Sequence, residues 1–509
     1  MLAEKVSRGI LSVGVWTVTR VLVSALATPF LSRILGTDGY GQYAYYLAII
    51  ILAVPLASVG TLQTLSKYIS ESPDAARRSR VARLGGVISL AGYAFIGTVV
   101  VLVLSLSPSP PPWELTLVLL LCIGFDVLWF YARGLLYGLQ REELAGIPGA
   151  IASVLGSVIG VVLAYLGHGL LGVFTGLMLG NAFMALAALR AGRRLIPHTH
   201  YERSTDPPLR GLLVFALSTM LFTSFSMLLY KSGIMAVQLI AEDRTMTGLF
   251  ATGLQSAESV WVFIVAVEGV MLQSTSRLWT EGRLGDLSAM VSRMLRYISL
   301  GTAFVLLYLL VYADELVRLY FGVRFADAAP VLRILIPGVF SYSLARLLGP
   351  VLHARGSVLV IAFVAGSASL LNVVLCILLI PEWGALGAAL ATSIAYGMVL
   401  APYALLLRRH GVHVFKGFAG SRQLALVVLT GCVMFAVNLL PVAALVRLGL
   451  GGVAGAACCF ALAFRMHLVR VPELVTVVES LPDPARQFFR RLVDRLEPML
   501  LAVAGEKKQ

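Results

Sequence analysis

Charge is what this 509-residue sequence has least of: Asp, Glu, Lys and Arg together make up 13% of it, where soluble domains carry about 25%. So few ionic groups cannot cover the surface of a soluble chain this long. Acidic residues are the scarcer sign, 26 against 40 Lys and Arg. In a soluble chain the net +14 would point to nucleic acid; here it is assigned to basic cytoplasmic loops, and no nucleic-acid partner is expected. Cysteine is rare too. Cys122, Cys376, Cys432, Cys458 and Cys459 all lie inside apolar runs, with no C-x-x-C or Cys/His pair at metal spacing. They read as small buried hydrophobes. The seven histidines are scattered, and His198-x-His200 sits in a basic loop where it adds charge. No metal site is expected. No P-loop stands in a soluble context, which argues against ATP hydrolysis.

What is abundant is apolar sequence, 59% of residues, in runs of the roughly 20 residues that span a bilayer. Breaks at Pro, Gly and charge give fourteen candidate spans, near 10–32, 42–65, 85–106, 113–133, 147–166, 170–189, 211–236, 247–273, 296–313, 330–352, 357–380, 384–407, 423–446 and 448–469. Little polar sequence separates neighbours near 236–247 and 440–450. Lys5 and Arg8 ahead of an apolar run imitate a secretory leader. Arg20 interrupts that run, which continues to Leu31, so it is read as the first span. With fourteen spans, 32 of the 40 Lys and Arg fall in loops on the side of the termini, six on the opposite side and two, Arg20 and Lys231, inside spans. The excess places both termini in the cytoplasm. The tail after Arg470 spaces Phe488, Phe489, Leu492, Val493 and Leu496 among arginines. That pattern fits an amphipathic helix on the inner surface, and a plain solvated tail fits equally.

A repeat runs through the spans. Gly169-Leu-Leu-Gly172-Val between spans five and six matches Gly384-Ala-Leu-Gly387-Ala between spans eleven and twelve. Tyr40-Gly41-Gln42-Tyr43-Ala44 at span two matches Thr247-Gly248-Leu249-Phe250-Ala251 at span eight. Both offsets equal six helices, an even number, so the copies share one orientation. The expected architecture is all-α and polytopic: a six-helix lobe over 1–200, a parallel second lobe over 207–410, helices thirteen and fourteen over 420–470, and a tail over 471–509.

The stretch Arg33-Ile-Leu-Gly-Thr-Asp-Gly-Tyr-Gly-Gln-Tyr43 resembles the first outer turn of polysaccharide and O-antigen flippases. So does Asn372 to Ile380 followed by Pro381-Glu-Trp-Gly384-Ala-Leu-Gly-Ala-Ala-Leu-Ala-Thr392. The fourteen-span layout matches the same family, within the multidrug/oligosaccharidyl-lipid/polysaccharide exporter superfamily. The resemblance implies alternating access in the cell membrane. It implies flipping of a polyprenyl-linked oligosaccharide from the cytoplasmic to the outer leaflet, for surface polysaccharide or glycoprotein glycan assembly. It implies a transporter rather than an enzyme, with the lipid-linked oligosaccharide, membrane lipids and other polysaccharide-assembly proteins as partners. No cofactor is expected; proton or sodium coupling stays open. A drug/cation antiporter of the same superfamily is the first alternative. A membrane glycan polymerase or glycosyltransferase is the alternative from another class, though clustered acids, His or a D-x-D at a membrane face are missing.

Ionic and hydroxyl groups inside spans single out the candidate site, because a charge at mid-membrane costs about 2.5–3.5 kcal/mol on insertion scales. Arg20 shares a helix face with Ser12, Trp16, Ser24 and Thr28. Arg20 and Ser24 are read as substrate-binding, against a structural hydrogen bond to a neighbouring helix. Thr223, Ser226 and Tyr230 continue a stripe from Thr219 and end beside Lys231, either as a sugar-facing surface or as hydroxyls bonded back to their own helix. Asp126, Glu258 and Glu268 are candidates for ion coupling or structural pairing. On a continuous span-eight helix the two glutamates are about 15 Å apart and some 80° around. The family implies a net cationic cavity. Arg20, Lys231 and Arg346 here meet an equal count of acids, so a neutral glycan on a monophosphate carrier fits as well.

Overall fold

The computed structural model describes residues 2–72, 74–107, 110–195 and 209–469. The amphipathic-tail expectation, and His198 and His200, lie outside the described residues. Every described element is helical. The first half comprises α1 Leu2–Ser58, α2 Thr61–Ser70, α3 Ala75–Ser105, α4 Trp113–Gly138, α5 Glu143–Leu163, a π-helical turn Ala164–His168, α6 Gly169–Leu195 and α7 Leu209–Ile240. The second half comprises α8 Arg244–Glu258, α9 Trp261–Thr280, α10 Leu284–Val311, α11 Ala313–Tyr320, a 3₁₀ turn Val323–Phe325, α12 Ala328–Ala354, α13 Val358–Arg409, α14 Gly420–Asn438 and α15 Ala444–Arg465.

Among the described residues ten stretches are long and apolar enough to cross a membrane, and three of these exceed fifty residues. Each long stretch is two spans joined by a turn so tight that helical hydrogen bonding runs on either side. The turns fall at Gly36, at Gly167 to Gly169, and at Gly384. With α8 and α9 taken as one interrupted span, the fourteen spans of the sequence are all present. The two sparsely separated junctions close in short turns, between Ile240 and Arg244 and between Asn438 and Ala444.

The repeat is visible at single-residue resolution. Gly169 has φ 51, ψ −131 and Gly384 has φ 52, ψ −129. That is the same backbone conformation, one that L side chains resist. Three residues on, a Cβ at Gly172 would meet the backbone and side chain of Leu163 at 2.8 Å, and one at Gly387 would meet the carbonyl oxygen of Leu379 at 2.3 Å. The other matched pair meet each other. A Cβ on Gly41 would fall on the Arg244 carbonyl oxygen at 1.9 Å, and one on Gly248 on the Thr37 carbonyl oxygen at 2.2 Å. Residues 37 and 244 stand in the same 207-residue relation as 41 and 248, so the crossing has a local two-fold.

The described residues pack as two compact units: those within 2–255 with 317–334 and 356–399, and those within 256–316 with 335–355 and 400–469. In the first, Tyr45, Tyr46, Ile49, Ile50, Leu119, Ile123 and Phe174 form a buried cluster, and Trp16, Trp129, Leu136 and Met184 form another. Segment 317–334 is tied to span one: Arg33 Nη2 donates to the Leu319 carbonyl at 2.7 Å, and Ser32 Oγ donates to that of Phe321 at 3.1 Å. In the second unit the Tyr312 hydroxyl donates to the Met434 carbonyl, joining α10 to α14, and Arg447 pairs with Glu315 at 3.1 Å. Cys122 and Cys376 are buried as expected, whereas Cys432 lies exposed on α14. A thiol is apolar enough to face lipid.

Candidate functional site

Span one brings Arg20 next to a second arginine, Arg133, the last residue of the span predicted over 113–133. Helix α4 runs on to Gly138 and carries Arg133 inside the fold. Both guanidinium groups lie against the Trp16 indole, with Arg20 5.3 Å and Arg133 4.7 Å from the ring centre. Arg133 also stacks 4.7 Å from the Tyr137 ring and donates from Nη2 to its hydroxyl at 2.6 Å. Trp129, one turn earlier, meets Trp16 edge-on at 5.9 Å. Asp126 lies on the same helix within electrostatic reach of Arg20. Asp126, Trp129, Arg133 and Tyr137 recur at three- and four-residue steps, so one face of α4 carries them all.

Two like charges against one indole repel, and a single carboxylate offsets only one of them. The cluster is therefore net cationic. Arg20 is exposed and Arg133 half-buried. Among the described residues Arg133 Nε has no hydrogen-bond partner. Trp16 Nε1 has none either, but it is pressed against Gly149, where even a Cβ would come within 2.5 Å of it. The indole therefore acts as a platform for the arginines rather than as a donor. Arg133 is five residues, about 7.5 Å of helix rise, from the end of α4. The cluster lies toward the end of the helices that also holds the N-terminus.

Further along span one, Ser24 is exposed and Thr28 buried. Thr28 Oγ1 accepts from Gln255 Nε2 at 3.1 Å, and the Tyr40 hydroxyl donates to Gln255 Oε1. The C-terminal end of the polar stripe is thus a hydrogen-bonded tie between spans one, two and eight.

On α7 the Thr and Ser hydroxyls of the predicted stripe donate back to their own helix. Thr219 bonds the carbonyls of Phe215 and Ala216, Thr223 that of Thr219, and Ser226 that of Phe222, at 2.8–3.0 Å. Their oxygens keep lone pairs for an incoming donor, and Thr223, Ser226, Tyr230 and Lys231 are half-buried. Tyr230 packs edge-on against Tyr396 at 6.4 Å.

The acids of span eight do not share one helix. α8 ends at Glu258, and Trp261 begins α9. Ser259 Oγ donates to the Ser256 carbonyl, a local bond that competes with the helical ladder. The continuous-helix spacing of the two glutamates is thereby corrected. Glu268 instead receives a two-pronged pair from Arg346, Nε at 2.7 Å and Nη2 at 2.9 Å. Arg346 in turn stacks 5.1 Å from the Trp261 ring, whose Nε1 donates to Ser343. Span two is interrupted as well, at Val59 and Gly60, where Val59 holds φ 49. Interrupted helices in corresponding spans of two repeats are a pointer to transport sites. Among the described residues no group of three His, Cys, Asp or Glu could hold a metal ion.

Residues 6–266 match the family model described as polysaccharide biosynthesis protein, and residues 150–453 match the one described as lipid II flippase MurJ. No curated protein matches the chain. Among solved structures, the lipid II flippase MurJ in an inward closed conformation superposes with a TM-score of 0.69 and 17% identity, covering 91% of this chain and all of that one. An inward-facing multidrug resistance MATE family transporter of the MOP superfamily gives 0.58 at 18% identity, covering 81% and 96%. A MOP superfamily transporter from Pyrococcus furiosus, described as having a binding pocket of reverse polarity, gives the same values. At these identities the likeness is one of fold.

Proposed function

This chain belongs to the polysaccharide biosynthesis family of lipid-linked flippases in the MOP superfamily, and we propose that it moves a polyprenyl-linked oligosaccharide from the cytoplasmic to the outer leaflet by alternating access. The observation that carries the proposal is the pair Arg20 and Arg133 held against Trp16. A phosphate or pyrophosphate bridging two guanidinium groups relieves their repulsion and takes up parallel charge-assisted hydrogen bonds. The position toward the inner ends of the helices suits a headgroup entering from the cytoplasmic leaflet. The glycan would then lie against the hydroxyl face of α7, Thr223, Ser226 and Tyr230, beside Lys231. In this reading the lobes are residues 1–200 and 207–410, both termini are cytoplasmic, and Asp126 or Glu258 couples transport to protons or sodium.

The test is transport of a fluorescent polyprenyl-pyrophosphoryl oligosaccharide in proteoliposomes. A charge-assisted hydrogen bond contributes about 1.5–3 kcal/mol. Arg20→Ala and Arg133→Ala are therefore expected to slow transport about ten- to a hundredfold. Arg20→Lys should keep part of the rate, since an ammonium supplies charge without the planar fork. Undiminished transport by both alanine variants would overturn the phosphate role. A drug/cation antiporter is the second reading, supported by the MATE likeness over 81% of the chain. It expects cation efflux that fails in Asp126→Asn and survives in Arg133→Ala.

A further inference from the structure

A cavity of about 300 Å³ opens at the N-terminal ends of spans two, four, six and eight, the ends that the proposed topology puts outside. Gln42, Tyr46, Pro111, Glu114 and Arg244 are in its wall. We propose that it is a saccharide subsite on the outer face, taking an uncharged hexopyranose ring.

The side chains have the character such a ring requires. Guanidinium, amide and carboxylate are planar groups that pair with vicinal hydroxyls. Tyr46 and the run Pro110-Pro111-Pro112, whose rings fix the backbone, supply an apolar wall for the C–H face. One cation and one carboxylate balance, so a phosphate gains less here than a neutral polyol. The volume lies at the lower end of small-ligand pockets, about 300–1,000 Å³.

Gln42 and Arg244 are also held in place before any ligand arrives. With its amide oxygen turned toward Arg244, Gln42 accepts from Nη1 and, at 2.8 Å, from Nε. The Arg244 backbone is fixed by the crossing at Gly41. The crossing itself is made by glycines and backbone carbonyls rather than by these two side chains. The local two-fold maps Arg244 onto Thr37 and Gln42 onto Leu249, and the same crossing forms with either set. The subsite is thus an addition on one side of a symmetric frame.

Two sources supply such a ring: the glycan of the lipid-linked carrier after flipping, or a free oligosaccharide outside. The inference rests on the glycan reading only for the first. Full-length protein in nanodiscs is offered cello-, chito- and maltotetraose, inorganic phosphate, and a lipid-linked oligosaccharide, with binding followed by saturation-transfer NMR. A neutral saccharide, free or lipid-linked, is expected to bind without competition from phosphate. Gln42→Leu and Arg244→Thr, which install the residues of the two-fold counterpart, should each weaken binding about tenfold and leave the melting temperature unchanged. Binding of the free tetraoses identifies the second source; binding of the lipid-linked form alone identifies the first. The proposal is overturned if no saccharide binds, if phosphate displaces it, if both variants bind as the parent does, or if their melting temperature falls in parallel. Transport that fails while saccharide binding persists retires the flippase reading alone.

Discussion

At the scale of single residues, the informative side chains are those whose charge has no cheap place in a bilayer. Arg20 stands out in the sequence because it interrupts an otherwise apolar span. Arg133 does not, because a span ended at residue 133 leaves it at the edge of a basic loop. The signal was nonetheless there: Asp126, Trp129, Arg133 and Tyr137 fall on one helical face, which a longer α4 would have revealed. Glu268 and Arg346 could be named from the sequence but not paired, since 78 residues separate them. Their pair faces partial solvent, with side chains 24% and 16% exposed, so its worth lies between the about 0–1 kcal/mol of surface bridges and the about 3–5 kcal/mol lost when a buried pair is broken. Glu268→Gln is expected to lower stability by roughly 1–3 kcal/mol, read as a lower melting temperature in detergent. Arg346→Met in the same chain should recover much of the loss. A double variant no more stable than Glu268→Gln would contradict the pairing account.

At the scale of elements, hydropathy finds spans but not the ways in which they join or break. Three pairs of spans run through glycine turns so compact that their helices nearly merge, and only φ-permissive residues at Gly36, Gly169 and Gly384 allow it. The sequence signals two of these turns through repeated G-x-x-G spacing. It gives no such signal for the breaks at Val59–Gly60 and Ser259–Val260, because hydroxyl groups and close packing produce them. The Gly60 backbone is wedged against span seven, where a Cβ would meet the Ala216 carbonyl oxygen at 2.3 Å. The two glycine positions of a turn should therefore respond differently. At Gly169 nothing lies within 4 Å of a new Cβ, so Gly169→Ala costs only backbone strain, about 1–3 kcal/mol. Gly387→Ala has ordinary helical dihedrals but meets the Leu379 carbonyl oxygen, and must push the two spans apart. It is expected to be the more damaging of the two in melting temperature and in yield of folded protein. Equal effects would mean that strain alone governs these turns.

At the scale of the whole molecule, fourteen spans and a six-helix repeat constrain how cargo can move. The proposed topology, argued from an even span count and the concentration of Lys and Arg in alternate loops, puts the termini, the arginine cluster and the basic loops on the cytoplasmic side. Single cysteines at Arg141 and Asp243 of a cysteine-free chain should then react with a membrane-impermeant maleimide from opposite sides, Asp243 alone in intact cells. If that orientation holds, the arginine pair meets the cytoplasmic leaflet first, as the proposed function requires of a grip on an anionic-headed lipid. Removing the gene, in a strain with no second flippase, is expected to stop a surface glycan or glycoprotein sugar from appearing while its polyprenyl-linked precursor builds up on the inner leaflet. Restoring the chain with both arginines changed to alanine should leave the precursor where it was, because loss of the grip and loss of the protein interrupt the same step. An antiporter would give another pattern: surface glycan unaltered, precursor at its normal level, and sensitivity to cationic drugs increased. Labelled precursor measured on each leaflet, beside the surface glycan, separates the two. A normal surface glycan with no accumulated precursor in the deletion strain would exclude the flippase function.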